Sequence, residues 1–145
     1  MENSRGAREE NLVSVSVDSV SLEGNLDIPP GARGLILFAH GSGSSRHSSR
    51  NKYVAEVLKK GGLATLLFDL LTREEEIIDI QTAELRFNIE LLASRLVGGT
   101  DWVLKNPSTA NLRIGYFGAS TGAAAALIAA TMRPDAVYAI VSRGG

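Results

Sequence analysis

A strand, a sharp turn and a helix follow one another directly in this sequence, and this succession constrains the fold more than any other feature. Residues 113–117 favour a strand, and the run of alanine, leucine and isoleucine after Gly122 favours a helix as far as residues 133–134. Ser120 lies at the turn between them. Gly118 and Gly122 complete a Gly-x-Ser-x-Gly pattern, in which small residues prevent collisions with the adjoining strand and helix. We therefore expect the Ser120 hydroxyl to be raised into solvent as a nucleophile.

The backbone that follows Ser120 has an expected role of its own. The amide of Thr121 begins the new helix, where unpaired N–H groups and the helix dipole attract negative charge. An oxyanion that forms beside Ser120 would meet this amide. The five-residue pattern alone is a weak signal in a chain with 15 glycines, so its position between a strand and a helix supports this interpretation.

The other strands are indicated by two kinds of apolar pattern. Alternation of apolar and polar residues over residues 13–17 and 20–28 predicts an antiparallel hairpin at a sheet edge. Continuous apolar runs at residues 34–39, 63–68 and 136–141 are typical of strands that a parallel sheet buries on both faces.

Helices are predicted from apolar residues at helical spacing. One helix should end at residues 59–60, before a glycine cap, and a long one should run from Leu85 towards Pro107. Gly98 and Gly99 favour a bend or break in the long helix. The acidic segment at residues 72–79 is expected to be a surface excursion whose charges are solvated.

These elements predict the α/β fold class. Strands and helices alternate through the second half, so right-handed crossovers should build a mostly parallel, doubly wound sheet behind the N-terminal antiparallel hairpin. We expect residues 1–11 to form a mobile tail and residues 12–145 to form one domain.

Composition argues against several classes of partner and cofactor. The formal net charge is −1 and basic residues are scattered, so we expect no nucleic-acid partner. The chain contains no cysteine, which leaves no thiolate metal site, and we expect no metal and no cofactor. No apolar run approaches the length of a membrane span, so no membrane partner and a cytoplasmic location are expected.

The sequence resembles the α/β-hydrolases, most closely their dienelactone-hydrolase-like branch. The motifs that carry the resemblance are the loop HGSGSSRHS at residues 40–48, the strand end DLL at residues 69–71 and the turn GASTG at residues 118–122. The resemblance implies a serine hydrolase that acts on esters or lactones through an acyl-enzyme on Ser120. It also implies an oxyanion hole made by the backbone amides of Thr121 and Ser42.

The chain departs from this family after the serine. In the family a catalytic acid and then a histidine follow the nucleophile, on loops after later strands. The residues after Ser120 contain no histidine, and Asp135 is their only acid. The resemblance therefore implies an α/β-hydrolase fold truncated after its sixth strand, which lacks the last strands together with the triad acid and histidine.

Two histidines remain as candidates for a substitute base, because a serine needs a base to attack a carbonyl at neutral pH. His47 lies in the serine-rich loop, and His40 lies at the strand end before it. A structural role is the simpler interpretation of each. Asp69, at the end of the next strand, is the candidate for the acid that orients a base.

Two other functions stay open at this point. The chain can be a non-catalytic binding or assembly module, or an inactive fragment of a hydrolase, because the expected base is absent. A more remote alternative is a nucleotide-binding domain, since Gly41 and Gly43 begin a dinucleotide-type fingerprint in which Arg46 occupies the place of the third glycine.

The expected partners are a small-molecule ester or lactone and a second copy of the chain. The strand at residues 136–141 would lie at an open sheet edge, and it has no lysine or proline to discourage pairing. We therefore expect a homo-oligomer that forms through this edge.

Overall fold

The computed structural model describes residues 11–40, 48–82, 84–85 and 88–143. Its strands and helices, in chain order, are β1 (Leu12–Val17), β2 (Val20–Asp27), β3 (Gly34–Ala39), α1 (Ser49–Lys60), β4 (Leu63–Phe68), α2 (Arg73–Thr82), α3 (Ile89–Lys105), β5 (Arg113–Ala119), α4 (Thr121–Met132) and β6 (Val137–Arg143). No helix among these residues is long and apolar enough to cross a lipid bilayer.

The strands form one sheet in the order β1-β2-β4-β3-β5-β6. β1 pairs antiparallel with β2, and β2 pairs antiparallel with β4. β3 lies between β4 and β5 and is parallel to both, and β6 is parallel to β5. The predicted fold class, a mostly parallel α/β sheet with an N-terminal antiparallel hairpin, is confirmed.

Helices cover both faces of the central strands, which explains why those strands are apolar along their whole length. On one face α3 and α4 bury a core that includes Leu37, Leu66 and Tyr116. On the other face α1 packs over a smaller cluster around Phe38. The Phe38 ring lies 5.2 Å, centroid to centroid, from the ring of Phe117. A strand with a helix on each side has no solvent face on which to place polar residues.

The break that Gly98 and Gly99 could have caused is absent from α3, which is continuous from Ile89 to Lys105. These glycines allow close packing instead. A Cβ atom on Gly98 would lie 2.3 Å from Cγ1 of Val17, and one on Gly99 would lie 2.5 Å from Cζ of Phe68. The missing side chains therefore let α3 approach β1 and β4. The predicted start at Leu85 was also wrong, because the Asn88 side chain caps the helix by accepting a bond from the Leu91 amide at 3.1 Å.

The acidic segment is a helix, α2, and its charges are not all solvated as expected. Its first turn is a capping box, in which the Glu75 amide donates to Thr72 Oγ1 at 3.1 Å and the Thr72 amide donates to Glu75 Oε1 at 2.8 Å. Asp79 is buried, whereas Ile80 is exposed. The guanidinium of Arg95, in α3, donates to both carboxylate oxygens of Glu75 at 2.8 and 2.7 Å. This ion pair fastens the first turn of α2 to α3.

The ion pair between Glu75 and Arg95 should make the stability of the fold depend on pH in the acidic range. Hydrogen bonds from Arg95 hold the pKa of Glu75 below its ordinary value of 4.5, although partial burial opposes the shift. Because the folded pKa is the lower one, this contribution to stability is present above the unfolded pKa and is lost as the pH falls through the folded pKa. Glu75→Gln should therefore lower the melting temperature at neutral pH. The difference in melting temperature between this variant and the parent should become smaller below about pH 4. Glu74→Gln is the exposed control, and an equal effect from it would contradict this account.

Candidate active site

Ser120 has the strained backbone that the turn motif predicts. Its φ is 58° and its ψ is −128°. Among the described residues other than glycine, only Asp18 also has a positive φ. A non-glycine residue in such a conformation costs about 1–3 kcal/mol and persists only where its surroundings impose it. Ser120 is exposed, and within the described part of the chain its hydroxyl makes no capping bond to α4. The structure therefore places an exposed serine at the carboxyl end of β5.

Two hydrogen bonds and two glycines impose this backbone. The Ser120 amide donates to the Arg143 carbonyl at the end of β6, and the Ala123 amide donates to the Ser120 carbonyl, each at 3.0 Å. A Cβ atom on Gly118 would lie 2.7 Å from the Ala123 Cα. One on Gly122 would lie 1.9 Å from the carbonyl oxygen of the last residue of β3. The turn is thus wedged between β3, β6 and the start of α4, which leaves no room for a side chain at either glycine.

Thr121 is the first residue of α4 and directly follows Ser120. Its amide is among the first N–H groups of the helix, which have no partner inside the helix. Its hydroxyl oxygen Oγ1 is buried and has no hydrogen-bond partner among the described residues. The sequence pointed to the amide but gave no sign of the hydroxyl, because only packing shows whether an atom is buried and paired.

His40 and Asp69 come together at the ends of β3 and β4. The His40 Nε2 lies 3.1 Å from the Phe68 carbonyl oxygen and 3.6 Å from Oδ1 of Asp69. The ring is buried, and its Nδ1 has no partner among the described residues. Since β3 separates β4 from β5, Nε2 is bound on the side of β3 away from Ser120. This geometry suits a histidine that ties β3 to β4 better than one that takes a proton from Ser120.

The remaining candidates fall outside the described residues. These are Ser42, the expected second oxyanion donor, and His47, the expected substitute base, together with Gly41, Gly43 and Arg46 of the nucleotide-type pattern. Among the residues that the structure does describe, no group of three His, Cys, Asp or Glu side chains is placed to hold a metal ion.

One contact to the site was missed by sequence reasoning. Arg143 accepts the Ser120 amide through its backbone carbonyl, and the register that pairs Ala119 with Arg143 places it there. A carbonyl is common to every residue, so no residue type marks this role in the sequence.

The chain is similar to solved α/β-hydrolases. It is 68% identical to a dienelactone hydrolase from Anabaena variabilis ATCC 29413, with a TM-score of 0.91 over 92% of this chain and 62% of that one. Est1E from Butyrivibrio proteoclasticus is 21% identical, with a TM-score of 0.73 over 90% of this chain and 49% of that one. An alpha-beta serine hydrolase homologue from Coxiella burnetii is 18% identical, with a TM-score of 0.69 over 90% of this chain and 61% of that one. The last two similarities concern the fold alone.

Two curated relatives are named as a transferase and not as a hydrolase. Two proteins, from two strains of Mycobacterium tuberculosis, are named "Putative phosphoribosyl transferase" and are 57% identical to this chain over 133 residues. The matched region is 92% of this chain and 29% of each relative, so the chain spans less than a third of their length. No family model matches the chain.

Proposed function

Since this chain has the α/β-hydrolase fold in its dienelactone-hydrolase-like form, we propose that it is a serine hydrolase that cleaves carboxylic esters or lactones. The observation that carries the proposal is the exposed Ser120, held at a φ of 58° between a strand and the first residue of α4. A strained, exposed serine between a strand and a helix start is the arrangement of the nucleophile in α/β-hydrolases, which transfer an acyl group through it.

In the proposed reaction Ser120 Oγ bonds to the carbonyl carbon of the ester, and the carbonyl electron pair moves to its oxygen. The proton of the hydroxyl passes to a base. The amide of Thr121, aided by the dipole of α4, stabilises the negative oxygen, and the Ser42 amide is the second proposed donor. Collapse of this intermediate expels the alcohol and leaves an acyl-enzyme, which water then hydrolyses.

The test of this proposal is covalent labelling. After incubation with a fluorophosphonate probe, the intact mass of the protein should increase by one adduct, and Ser120→Ala should show none. Labelling should be slow, because oxyanion stabilisation leaves only part of the catalytic power when a triad is incomplete. An adduct that persists in Ser120→Ala would refute the role of Ser120.

We further propose that His47 is the base, because His40 is bound to the end of β4. Turnover of p-nitrophenyl acetate by this chain alone should be weak, and without the His47 base it should fall to a residual of roughly 10³ over water. His47→Ala should lower any efficient turnover. His40→Ala should act mainly on stability, because Nε2 of that ring donates to the Phe68 carbonyl and lies 3.6 Å from Asp69 Oδ1. Indifference of the rate to both substitutions would exclude an internal histidine base.

The other candidate functions have weaker support. A binding module or an inactive fragment of a hydrolase would form no adduct with the probe. Tight binding of a nicotinamide cofactor without any adduct would favour the nucleotide-binding alternative. The phosphoribosyl transferase name gives no second proposal, because this chain matches only 29% of those relatives. The cytoplasmic location and the absence of a metal or cofactor stay predictions.

For a partner we propose a second copy of the chain, paired through β6. This strand has a neighbour only on its β5 side among the described residues, and its Tyr138 and Val141 side chains are 66% and 55% exposed. Unpaired backbone groups and apolar side chains on one strand favour association. Light scattering at micromolar concentration should show a dimer or larger species, and Val141→Lys should shift it towards monomer. Exposed Leu12→Lys in β1 is the control, and a monomeric parent would refute the pairing.

A further inference from the structure

One face of the β5–β6 pair is left largely uncovered by the described helices. The strand register places Val141 beside Phe117 and Arg143 beside Ala119, and side chains paired in this way point to the same face of the sheet. Phe117 packs with residues of α1, so this is the α1 face. However, α1 packs mainly over β4, and α4 covers β6 from the opposite face. Val141 therefore stays 55% exposed.

The uncovered face is apolar and has the length of a helix. Ala139 and Val141 are exposed on it, whereas Val137 and Ile140 pack against the core on the opposite face. β5 and β6 are each seven residues long, which is about 23 Å of strand, and a helix of about 15 residues has that length. Since helices cover both faces of parallel sheets in α/β folds, a helix is the element that fits this face.

Two arginines lie at opposite ends of this face, and neither has a carboxylate partner. At the start of β5, Cζ of Arg113 lies 5.3 Å from the centre of the Tyr138 ring. At the end of β6, Cζ of Arg143 lies 6.0 Å from the centre of the Phe117 ring, and its buried Nε has no partner among the described residues. Neither guanidinium forms an ion pair within the described part of the chain, whereas that of Arg95 lies 2.7 Å from a carboxylate oxygen.

The missing partner of these two arginines is an acid. A guanidinium that is stacked on a ring keeps N–H donors along its edge, and a carboxylate is the acceptor that binds them most strongly. A buried N–H without an acceptor costs free energy. Residues 41–47 and 144–145, the stretches that follow β3 and β6, contain no acidic residue. The charge on this face therefore favours a partner that brings its own carboxylates.

We propose that this face is a docking surface for an amphipathic helix of another polypeptide. The apolar stripe of the helix packs over Tyr138 and Val141, and a carboxylate near each of its ends pairs with Arg113 and Arg143. This interaction goes beyond the proposed hydrolase activity. It is also separate from the proposed pairing of two copies, which uses the backbone edge of β6 and leaves this face of the strand open.

The test uses two helical peptides of about 15 residues that share one stripe of leucines. One peptide has glutamate near each end, and the other has lysine at the same positions. Fluorescence anisotropy should show that the parent binds the glutamate peptide at least about 10-fold more tightly than the lysine peptide. Arg143→Glu should reverse this preference, and so should Arg113→Glu. Arg143→Glu keeps the backbone carbonyl that binds the Ser120 amide.

Arg73→Glu is the matched control, because Arg73 is a 79% exposed arginine of α2, outside this face. It should leave the affinity for both peptides unchanged. Binding of neither peptide by the parent would overturn the inference, and so would equal binding of the two. A second copy as the occupant would also overturn it, and would appear as a dimer that excludes both peptides and dissociates in Arg143→Glu. A parent that forms no Ser120 adduct but prefers the glutamate peptide would remove the proposed function and support this inference.

Discussion

Gly122→Ala should destabilise the protein by about 3 kcal/mol or more and should reduce labelling of Ser120 at least 100-fold. The added Cβ atom would lie 1.9 Å from the carbonyl oxygen of Ala39 and 2.9 Å from that of His40. Both are backbone atoms of the strand end beside the turn, so neither can rotate away as a flexible side chain can. Either β3 or the start of α4 must move, and each movement displaces the Ser120 hydroxyl.

Gly61→Ala is the matched control for this substitution. Gly61 caps α1 with a φ of −85°, which any residue adopts, and its added Cβ atom would lie an ordinary 3.4 Å from the Leu58 carbonyl oxygen. Its effect on stability should stay within about 1 kcal/mol, without loss of labelling. Chemical denaturation gives the free energies of unfolding, and the fluorophosphonate assay gives the rates. Equal losses of stability and of labelling rate in the two variants would contradict the argument from the close contact at Gly122.

Arg95→Met should lower the free energy of unfolding by about 3 kcal/mol. The Arg95 side chain is 9% exposed, and besides the Glu75 carboxylate it binds the Leu70 carbonyl at 3.0 Å. Its removal leaves a half-buried carboxylate and a carbonyl without this donor. Adding Glu75→Leu should recover part of the loss, because the unpaired charge is then gone.

The pair between Arg133 and Asp101 separates the effect of burial from that of geometry. This ion pair is also bidentate, with both N···O distances at 2.9 Å, but its side chains are 38% and 36% exposed. Arg133→Met should therefore lower the free energy of unfolding much less than Arg95→Met does, because water competes for both charges. Denaturant titrations of the two variants measure the difference, and a loss as large as that of Arg95→Met would refute the argument from burial.

Most of the fold could be predicted because its signals are local. The apolar runs of β3 and β4 identify buried strands, since a strand covered on both faces excludes polar side chains along its whole length. The turn at Ser120 could be recognised from five consecutive residues, although contacts with β3 and β6 hold its geometry. The acidic helix α2 was missed for the opposite reason. Its charges suggest solvent, and only the distant Arg95 explains why Glu75 turns inward.

The sequence by itself determined the fold class, the position of the turn and the identity of the exposed serine, because each follows from patterns within short stretches of the chain. Tertiary structure alone decided which groups surround that serine. It brought the Arg143 carbonyl to the Ser120 amide, bound His40 to the end of β4 and left the Thr121 hydroxyl unpaired. Each of these contacts depends on strand register and on packing between segments far apart in sequence. Neither residue type nor spacing along the chain shows which of these segments will meet.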